Sequence, residues 1–316
     1  MKNKNTKIFL ALILLYFFLP LLIHAAGYDF YVDKNSSETR EDGSARYPWK
    51  TIQAALDHIQ SGNLKSKTVL ISDGTYAESL EIRNNTDLIG QSESGTVIDA
   101  GGFHTAVNFV STKSKIQRLT IKNANSTNVF INNRSRVSIK NCKIEEAGAC
   151  GLEVEKSTSA EKYKFSIEDS EISGSGTKGF QIYRRKILIS GNEIFSNGEE
   201  GIDLHSGQKG TISGNEIQGN KESGIEAILS GARLEIKKNE IEDNHTQGIT
   251  VQAYSVTKGK VKISENTIKK NHAHGIRFAN YTNSFGPKKF RKLMDKYVNL
   301  FKNKISENGE EEIYYE

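Results

Sequence analysis

Short runs of alternating apolar and polar residues recur through most of this chain and predict β-strands. Examples are the runs Ile202–His205, Ile249–Gln252 and Ile276–Phe278. A period of two sends successive side chains to opposite faces of a strand, so the isoleucines and valines of one run share one side. Between Ala106 and Tyr281 no run has the three-to-four spacing of an amphipathic helix. The pattern therefore predicts an all-β protein.

The strand runs belong to a sequence repeat of about 20 to 30 residues. Ile189–His205 aligns without gaps with Ile212–Ile228. A repeat of this length is typical of a solenoid, in which each unit buries its apolar face by stacking on the next. We therefore predict a parallel β-helix solenoid of about ten turns, with neighbouring turns about 4.8 Å apart.

Two columns of the repeat are rich in asparagine and mark the corners of the coil. The first column reads Leu119, Cys142, Ser170, Asn192, Asn215, Asn239, Asn266 and Asn303. The second reads Asn197, Asn220, Asn244, Asn271 and Asn308. Asparagine tolerates a left-handed bend and bonds nearby backbone groups. Both columns are therefore predicted to be structural ladders of side-chain amides.

Several segments near the start resemble the right-handed parallel β-helix repeat proteins of the pectate-lyase superfamily. They are residues 31–33, 42–44, 48–55, 73–76 and 96–99, and the resemblance covers most of residues 28–316. It implies a right-handed coil, and a calcium cofactor is suggested by fold analogy alone. It does not imply one chemistry, because this scaffold carries lyases, hydrolases, epimerases, adhesins and binding proteins.

The ends of the chain differ from the repeat. Residues 1–26 have a basic start, an apolar run and a small-residue cleavage site, which predicts a secretory signal peptide, with a retained membrane anchor as the alternative. Residues 27–66 are predicted to form an N-terminal strand and a short capping helix, Thr51–Gln60. Residues 67–316 are predicted to form the coil, with insertions near 156–164, 254–260 and 280–298. The last insertion contains a second helical pattern and is predicted to be a helical excursion before the last turn. A secreted, periplasmic or cell-surface protein is expected.

Composition limits the partners. The whole chain has 43 lysines and arginines against 38 acidic residues. Cleavage of the signal segment would remove three lysines and leave 40 against 38, and so small a positive charge does not favour nucleic-acid binding. No later stretch is long enough to cross a bilayer. Cys142 and Cys150 are predicted to be buried thiols. Because the final strand has no covering turn, self-association through the last turn is a further expectation.

One strand of each turn carries polar side chains that suit sugar binding. Asp203 and His205 lie two apart on this strand and share a side, while Tyr183 and Glu226 occupy neighbouring turns. These four residues, Tyr183, Asp203, His205 and Glu226, are the predicted catalytic set. The predicted substrate-binding residues are Gln181, Arg185, Glu200, Thr250, Gln252 and Arg277. No metal site is predicted.

Gly201–His205 also resembles the glycine-isoleucine-aspartate-proline-histidine motif of secreted uronan C5-epimerases. The resemblance implies that Asp203 orients the sugar carboxylate and that His205 exchanges the C5 proton. The chain departs from the motif at Leu204 (proline), Glu200 (tyrosine) and Ser206 (an acidic residue). Tyr183, one turn earlier, is expected to substitute for that tyrosine.

Three functions remain open from the sequence. The first is a lyase or C5-epimerase that acts on an acidic polysaccharide, with His205 and Tyr183 as proton carriers. The second is a glycoside hydrolase that uses Asp203 and Glu226. The third is a non-catalytic coil that binds glycan or protein. All three insertions leave the coil at one corner and would wall a groove, and lysines and arginine in the last one favour an acidic polymer.

Overall fold

The computed structural model describes residues 27–157, 159, 162–254, 258–281 and 285–316. The predicted signal segment, 1–26, lies outside the described residues, as do parts of the three insertions. Within the described ranges, no helix is long and apolar enough to span a membrane.

The residues that the structure describes form thirty-one short strands and two helices. Helix α1 is Ile52–Ser61 and helix α2 is Pro287–Tyr297. The strands are β1 (Phe30–Val32), β2 (Thr68–Ile71), β3 (Gly74–Tyr76), β4 (Leu80–Ile82), β5 (Asp87–Gly90), β6 (Thr96–Asp99), β7 (Thr105–Phe109), β8 (Lys113–Gln117), β9 (Thr120–Lys122), β10 (Thr127–Ile131), β11 (Arg136–Lys140), β12 (Lys143–Glu145), β13 (Leu152–Val154), β14 (Lys164–Glu168), β15 (Glu171–Ser173), β16 (Phe180–Ile182), β17 (Lys186–Ser190), β18 (Glu193–Phe195), β19 (Ile202–Leu204), β20 (Lys209–Ser213), β21 (Glu216–Gln218), β22 (Ile225–Ile228), β23 (Arg233–Lys237), β24 (Glu240–Glu242), β25 (Ile249–Ala253), β26 (Lys260–Ser264), β27 (Thr267–Lys269), β28 (Ile276–Asn280), β29 (Val298–Phe301), β30 (Lys304–Ser306) and β31 (Ile313–Tyr315).

These strands build three parallel sheets that wrap one apolar core. Sheet A has eleven strands in the order β1-β2-β5-β8-β11-β14-β17-β20-β23-β26-β29. Sheet B has ten, β3-β6-β9-β12-β15-β18-β21-β24-β27-β30. Sheet C has ten, β4-β7-β10-β13-β16-β19-β22-β25-β28-β31. Inward isoleucines stack turn upon turn, as Ile189 does on Ile212 and Ile236. The predicted all-β parallel solenoid is confirmed.

The regular part of the coil is shorter than predicted. It contains about eight turns rather than ten, and it runs from β8 to β31. The turns before β8 precede the corner column that begins at Leu119, and a Cβ at Gly90 would collide with the carbonyl oxygen of Arg118. Counting turns from the length of the chain alone therefore overestimated the regular repeat.

Both asparagine ladders form as predicted. In the first, each side-chain Nδ2 donates to the Oδ1 of the next asparagine, with distances of 2.9 Å from Asn192 to Asn215 and 2.8 Å from Asn215 to Asn239. In the second, the Asn197 to Asn220 bond is 2.9 Å. Each amide also bonds backbone groups, so these buried corners leave few polar atoms unpaired.

The two helices lie at the start and near the end of the coil. In α1 the Thr51 side chain accepts from the Ala54 N–H, and the Glu78 carboxylate accepts from the first two helical N–H groups. Helix α1 contacts β1 and β4, consistent with a cap on the first turn. Helix α2 buries Phe290 and Met294 against the coil.

The last turn is partly open. Tyr315 reaches α2 through a 3.1 Å hydrogen bond from its hydroxyl to Asp295. Phe301 and Ile313 nevertheless stay exposed, at 48% and 38%. Self-association through this end remains a prediction. Cys142 and Cys150 are free and buried, as expected.

Candidate functional site

The strands of sheet C place the predicted catalytic residues side by side. Asp203 pairs with Gln181 on β16 and with Glu226 on β22. Directly after β16 and β19, the rings of Tyr183 and His205 stack with centroids 4.1 Å apart and an angle of 14° between their planes. The repeat explains this arrangement, because identical spacing in successive turns superimposes equivalent positions.

Asp203 lies between a lysine and the histidine. Its Oδ2 is 3.3 Å from Nε2 of His205 and 3.8 Å from Nζ of Lys178, and its side chain is 7% exposed. The approach to Nε2 is too bent for a well-formed hydrogen bond, so the contact is mainly electrostatic. A carboxylate oxygen beside Nε2 still favours a proton on that atom, since two lone pairs would repel. With that proton on Nε2, the lone pair of the imidazole lies on Nδ1.

Lys178 is a site residue that the sequence analysis did not select. It contacts Glu199, and its Nζ is 2.9 Å from Oε2 of Glu200. Burial favours the neutral amine, but the hydrogen bonds that Lys178 donates to Glu199 and Glu200 outweigh it and raise the pKa of Lys178. Lys178 therefore supplies a permanent positive charge beside Asp203. Its position just before Gly179, in the column that also holds Glu200, was the available signal.

Glu200 and Glu222 form a carboxyl pair next to Lys178. Burial alone would raise the pKa of Glu200, but hydrogen bonds from Glu222 and Lys178 lower it. The hydrogen bond to Glu200, helped by burial, raises the pKa of Glu222 to about 7. The more exposed Glu222 therefore holds the shared proton, and Glu200 stays ionised against Lys178.

Glu226 is the second carboxyl that holds a proton near neutral pH. Burial, followed by the charges of Glu200 and Asp203, raises its pKa to about 7 despite a hydrogen bond with Gln252. Gln252 in turn lies 3.3 Å from the Tyr254 hydroxyl. Asp203 and Glu226 occupy paired strand positions, so the proton that Glu226 holds near neutral pH is offered as a hydrogen-bond donor next to the Asp203 oxygens.

The raised pKa of Glu226 leads to a prediction about stability. The folded protein holds this proton more tightly than the unfolded chain, so ionisation removes stability as pH rises from about 4.5 to about 7. At pH 8 the free energy of unfolding of Glu226→Gln, measured with urea, should therefore exceed that of the native protein by about 2 kcal/mol. At pH 4 the two free energies should differ little. Glu193→Gln, an exposed position on sheet B, is the matched control. Equal shifts at both pH values would contradict the assignment.

Other predicted binding residues are placed less uniformly. Gln181 is half-buried next to Asp203, and Arg277 makes a 2.7 Å ion pair with Glu316 at the end of the coil. Thr250 is 1% exposed and shares a 2.9 Å hydrogen bond with Ser223, so its hydroxyl is not offered to a ligand.

Arg185 differs from its predicted role. Its side chain is fully buried, and the guanidinium donates to the backbone carbonyls of Asn132, Ser135 and Tyr163. Burial lowers the pKa of Arg185 to about 10. The prediction treated it as an outward residue beside Tyr183, but the corner turns its side chain inward, where the Tyr163 carbonyl is one of its acceptors. Its guanidinium is therefore held by backbone carbonyls inside the protein.

The three predicted insertions fall between strands of the same two sheets. They follow β13, β25 and β28 of sheet C and return to sheet A at β14, β26 and β29. The described part of the last insertion includes α2, which carries Lys288, Lys289, Arg291, Lys292 and Lys296. Of these basic residues, Arg291 lies over the ring of Tyr315 on β31, the last strand of sheet C, with its guanidinium carbon 4.7 Å from the ring centroid.

A cluster of metal-ligand type lies three turns beyond Asp203. Nε2 of buried His274 is 3.0 Å from Glu310, and its Nδ1 is 3.1 Å from Glu311. This grouping was not predicted, because both glutamates belong to the following turn. His245 and His272 form a separate tilted pair with centroids 4.8 Å apart. Neither group contacts the residues around Asp203.

Residues 127–314 match the profile of the family described as right handed beta helix region. The chain belongs to the right-handed β-helix family. The match begins at β10 and includes every residue of the site, so the site is built on the family's repeat. No curated protein compared with this β-helix matches its sequence.

Solved structures share this fold at low sequence identity. The A-module of the mannuronan C-5 epimerase AlgE4 from Azotobacter vinelandii is 16% identical, with a TM-score of 0.54 over 90% of this chain and 97% of that one. The pectate lyase Pel9A is 12% identical, with a TM-score of 0.56 over 79% and 75% of the two chains. At these identities the likeness shows the β-helix fold alone.

Proposed function

We propose that this β-helix protein binds an acidic polysaccharide along sheet C and removes the C5 proton of a uronate residue, as a lyase or C5-epimerase does. The observation that carries the proposal is the stack of Tyr183 on His205 with Asp203 beside the imidazole. A base, an acid and a charged anchor within one strand spacing are the groups that this proton transfer needs. The names of two solved structures with this fold, a mannuronan epimerase and a pectate lyase, support the substrate class.

His205 is the proposed base and Tyr183 the proposed acid. Burial raises the pKa of Tyr183, with added contributions from Glu153 and Asp203, so its phenol keeps its proton at neutral pH. The carboxylate of Asp203 leaves Nδ1 of His205 as the basic nitrogen. His205 therefore takes the C5 proton, and Tyr183 supplies a proton later in the reaction.

The remaining charges suit the carboxylate of the sugar. Removal of the C5 proton moves negative charge onto that carboxylate, and Lys178 offers a positive charge next to Asp203. Glu226, protonated near pH 7, offers a hydrogen-bond donor instead of a repelling charge. Both features lower the energy of the developing dianion in a half-buried site.

The stacked rings favour elimination over epimerisation. Centroids 4.1 Å apart leave no room for a sugar between the rings, so both must approach one face of the substrate. Elimination on one face breaks the C5–H and C4–O bonds, with the C5 proton going to His205 and a proton from Tyr183 going to the leaving O4. It requires a uronate whose H5 and O4 lie on the same face, which is the gluco or manno configuration and not the galacto one.

The test is a panel of polymers with gluco, manno and galacto uronates. We expect a rise in ultraviolet absorbance from unsaturated ends with the first two polymers, and loss of that rise in Tyr183→Phe, by about 10²-fold or more. Tyr281→Phe, at an exposed tyrosine of the last insertion, is the control. Proton exchange at C5 in heavy water without unsaturated ends would indicate epimerisation. Neither signal with any polymer would overturn the proposal and leave a non-catalytic binding coil. A secreted location would expose this site to such polymers.

A hydrolase is the second candidate, and one observation favours it. Asp203 and Glu226 occupy paired positions about 5 Å apart, and Glu226 has the raised pKa of a general acid. A separation of about 5 Å between the two carboxyl groups themselves would give retention of configuration at the anomeric carbon. New reducing ends without unsaturated ends, lost in Glu226→Gln, would establish hydrolysis and exclude elimination.

A further inference from the structure

Sheet A carries an unbroken row of basic side chains on its outer surface. The pairing joins Lys113 to Arg136, and it joins Lys164, Lys186, Lys209, Arg233 and Lys260 in sequence. Val137 pairs with Phe165, which sets Arg136 beside Lys164. We call this row the basic ladder; its members are Lys113, Arg136, Lys164, Lys186, Lys209, Arg233 and Lys260.

The fold does not require this row. Like charges on directly paired strand positions repel each other and destabilise a sheet. The seven members of the basic ladder lie in parallel register over about 29 Å, so this repulsion recurs at every strand spacing. The next outward row has no such regularity: Lys115, Ser138, Ser166, Leu188, Thr211, Glu235 and Lys262. The asparagine ladders and inward isoleucines already hold the strands in register. A ligand that neutralises the row would account for it.

The ladder is incompletely neutralised within the protein. Among the described residues, Lys113, Arg136, Lys164, Arg233 and Lys260 form no ion pair within 4.0 Å of a carboxylate, whereas Lys186 and Lys209 have contacts of their own. Glu235, an acidic residue of the adjacent row, is held by Lys237 and Lys262. The net field along this face is therefore positive.

Two surface depressions lie along the basic ladder and are lined in part by its side chains. One, of about 490 Å³, is lined by Lys113, Arg136, Lys164 and Lys186 together with apolar side chains such as Phe165. The other, of about 720 Å³, is lined by Arg233 and Lys260 with Gly210 and Gly231. They lie towards opposite ends of the same row, so a linear ligand along the coil axis would pass through both.

We propose that the basic ladder is a second binding surface, for an extended acidic polysaccharide whose carboxylates follow the coil axis. One charge per strand spacing of about 4.8 Å is close to one charge per sugar of a polyuronate. Single-stranded nucleic acid is a poorer fit, because the adjacent row offers no aromatic side chain for base stacking. The surface lies on a different sheet from Asp203 and His205, so it acts without the proposed chemistry of sheet C.

The experiment measures binding of a uronate polymer to the full chain by isothermal titration at two salt concentrations. The ladder variant carries Arg136→Gln, Lys164→Gln, Arg233→Gln and Lys260→Gln. The control variant removes four exposed lysines at corners instead: Lys65→Gln, Lys221→Gln, Lys270→Gln and Lys302→Gln. We expect about tenfold weaker binding and a smaller salt dependence for the ladder variant alone.

His205→Ala serves as the background for both variants, so that turnover does not consume the polymer. Retained binding in that background separates this surface from the proposed function of sheet C. No binding of the polymer by the parent, or equal loss in the ladder and control variants, would overturn the proposal. So would ladder-dependent binding of single-stranded DNA or of anionic lipid vesicles without binding of the polymer.

Discussion

Replacing His205 with alanine is expected to lower turnover of a uronate polymer by about 10²- to 10⁴-fold, because the imidazole that we propose as the base beside Asp203 is removed. The imidazole is 32% exposed and packs on Tyr183. Its loss should therefore change the free energy of unfolding by less than about 1 kcal/mol. Initial rates of ultraviolet absorbance, together with urea unfolding curves of both proteins, measure the two effects separately.

His245→Ala is the matched control for this experiment. His245 is an exposed histidine at a corner of the same coil, paired with His272 and remote from Asp203. Full activity is expected in that variant. Activity retained in His205→Ala would remove His205 from the mechanism and would leave Glu226, with its pKa of about 7, as the remaining candidate for proton transfer.

Replacing Asn239 with alanine is expected to destabilise the coil by about 3 kcal/mol, the largest effect on stability that we predict. Its side chain is 2% exposed and donates to the Ile212 carbonyl at 3.1 Å and to Asn266 at 2.9 Å. It also accepts from the backbone and side chain of Asn215, at 3.0 and 2.8 Å. Alanine leaves several buried donors and acceptors without partners on both adjacent turns.

Asn299→Ala is the control, since Asn299 lies on an exposed position of β29. The measurement is the urea midpoint of each variant with the slope of each transition, because a repeat protein can lose its two halves separately. If the urea midpoint falls no further in Asn239→Ala than in Asn299→Ala, the asparagine ladder orders the corner but adds no net stability.

Much of the site could be predicted because the repeat aligns the sequence with itself. Once Ile202 is matched to Ile225, the pairing of Asp203 with Glu226 follows, since a parallel sheet preserves spacing from turn to turn. The stack of Tyr183 on His205 follows for the same reason. In a parallel solenoid the spacing of the repeat is enough to tell which residues of neighbouring turns lie side by side. In most folds the sequence spacing does not tell this.

The errors fall where several turns meet at a corner. Arg185 looked like an outward residue because its neighbour Tyr183 is one, yet its guanidinium reaches carbonyls about 50 residues earlier in the chain. Lys178 was left out although it shares its column with Glu200, because its role depends on contacts with Glu199, Glu200 and Asp203 of the following turn. The basic ladder was overlooked because its members read singly as ordinary solvated lysines and arginines.

The sequence by itself determined the coil, its asparagine corners and the register of its strands, because these depend on spacing within a repeat. Only the tertiary structure decided which polar groups are buried and which charges face one another across turns. Burial raises the pKa of Glu226, hides Arg185 and gathers Lys178 with Glu199 and Glu200. Those effects depend on solvent exclusion and on distances between turns, and neither quantity is written in any single repeat.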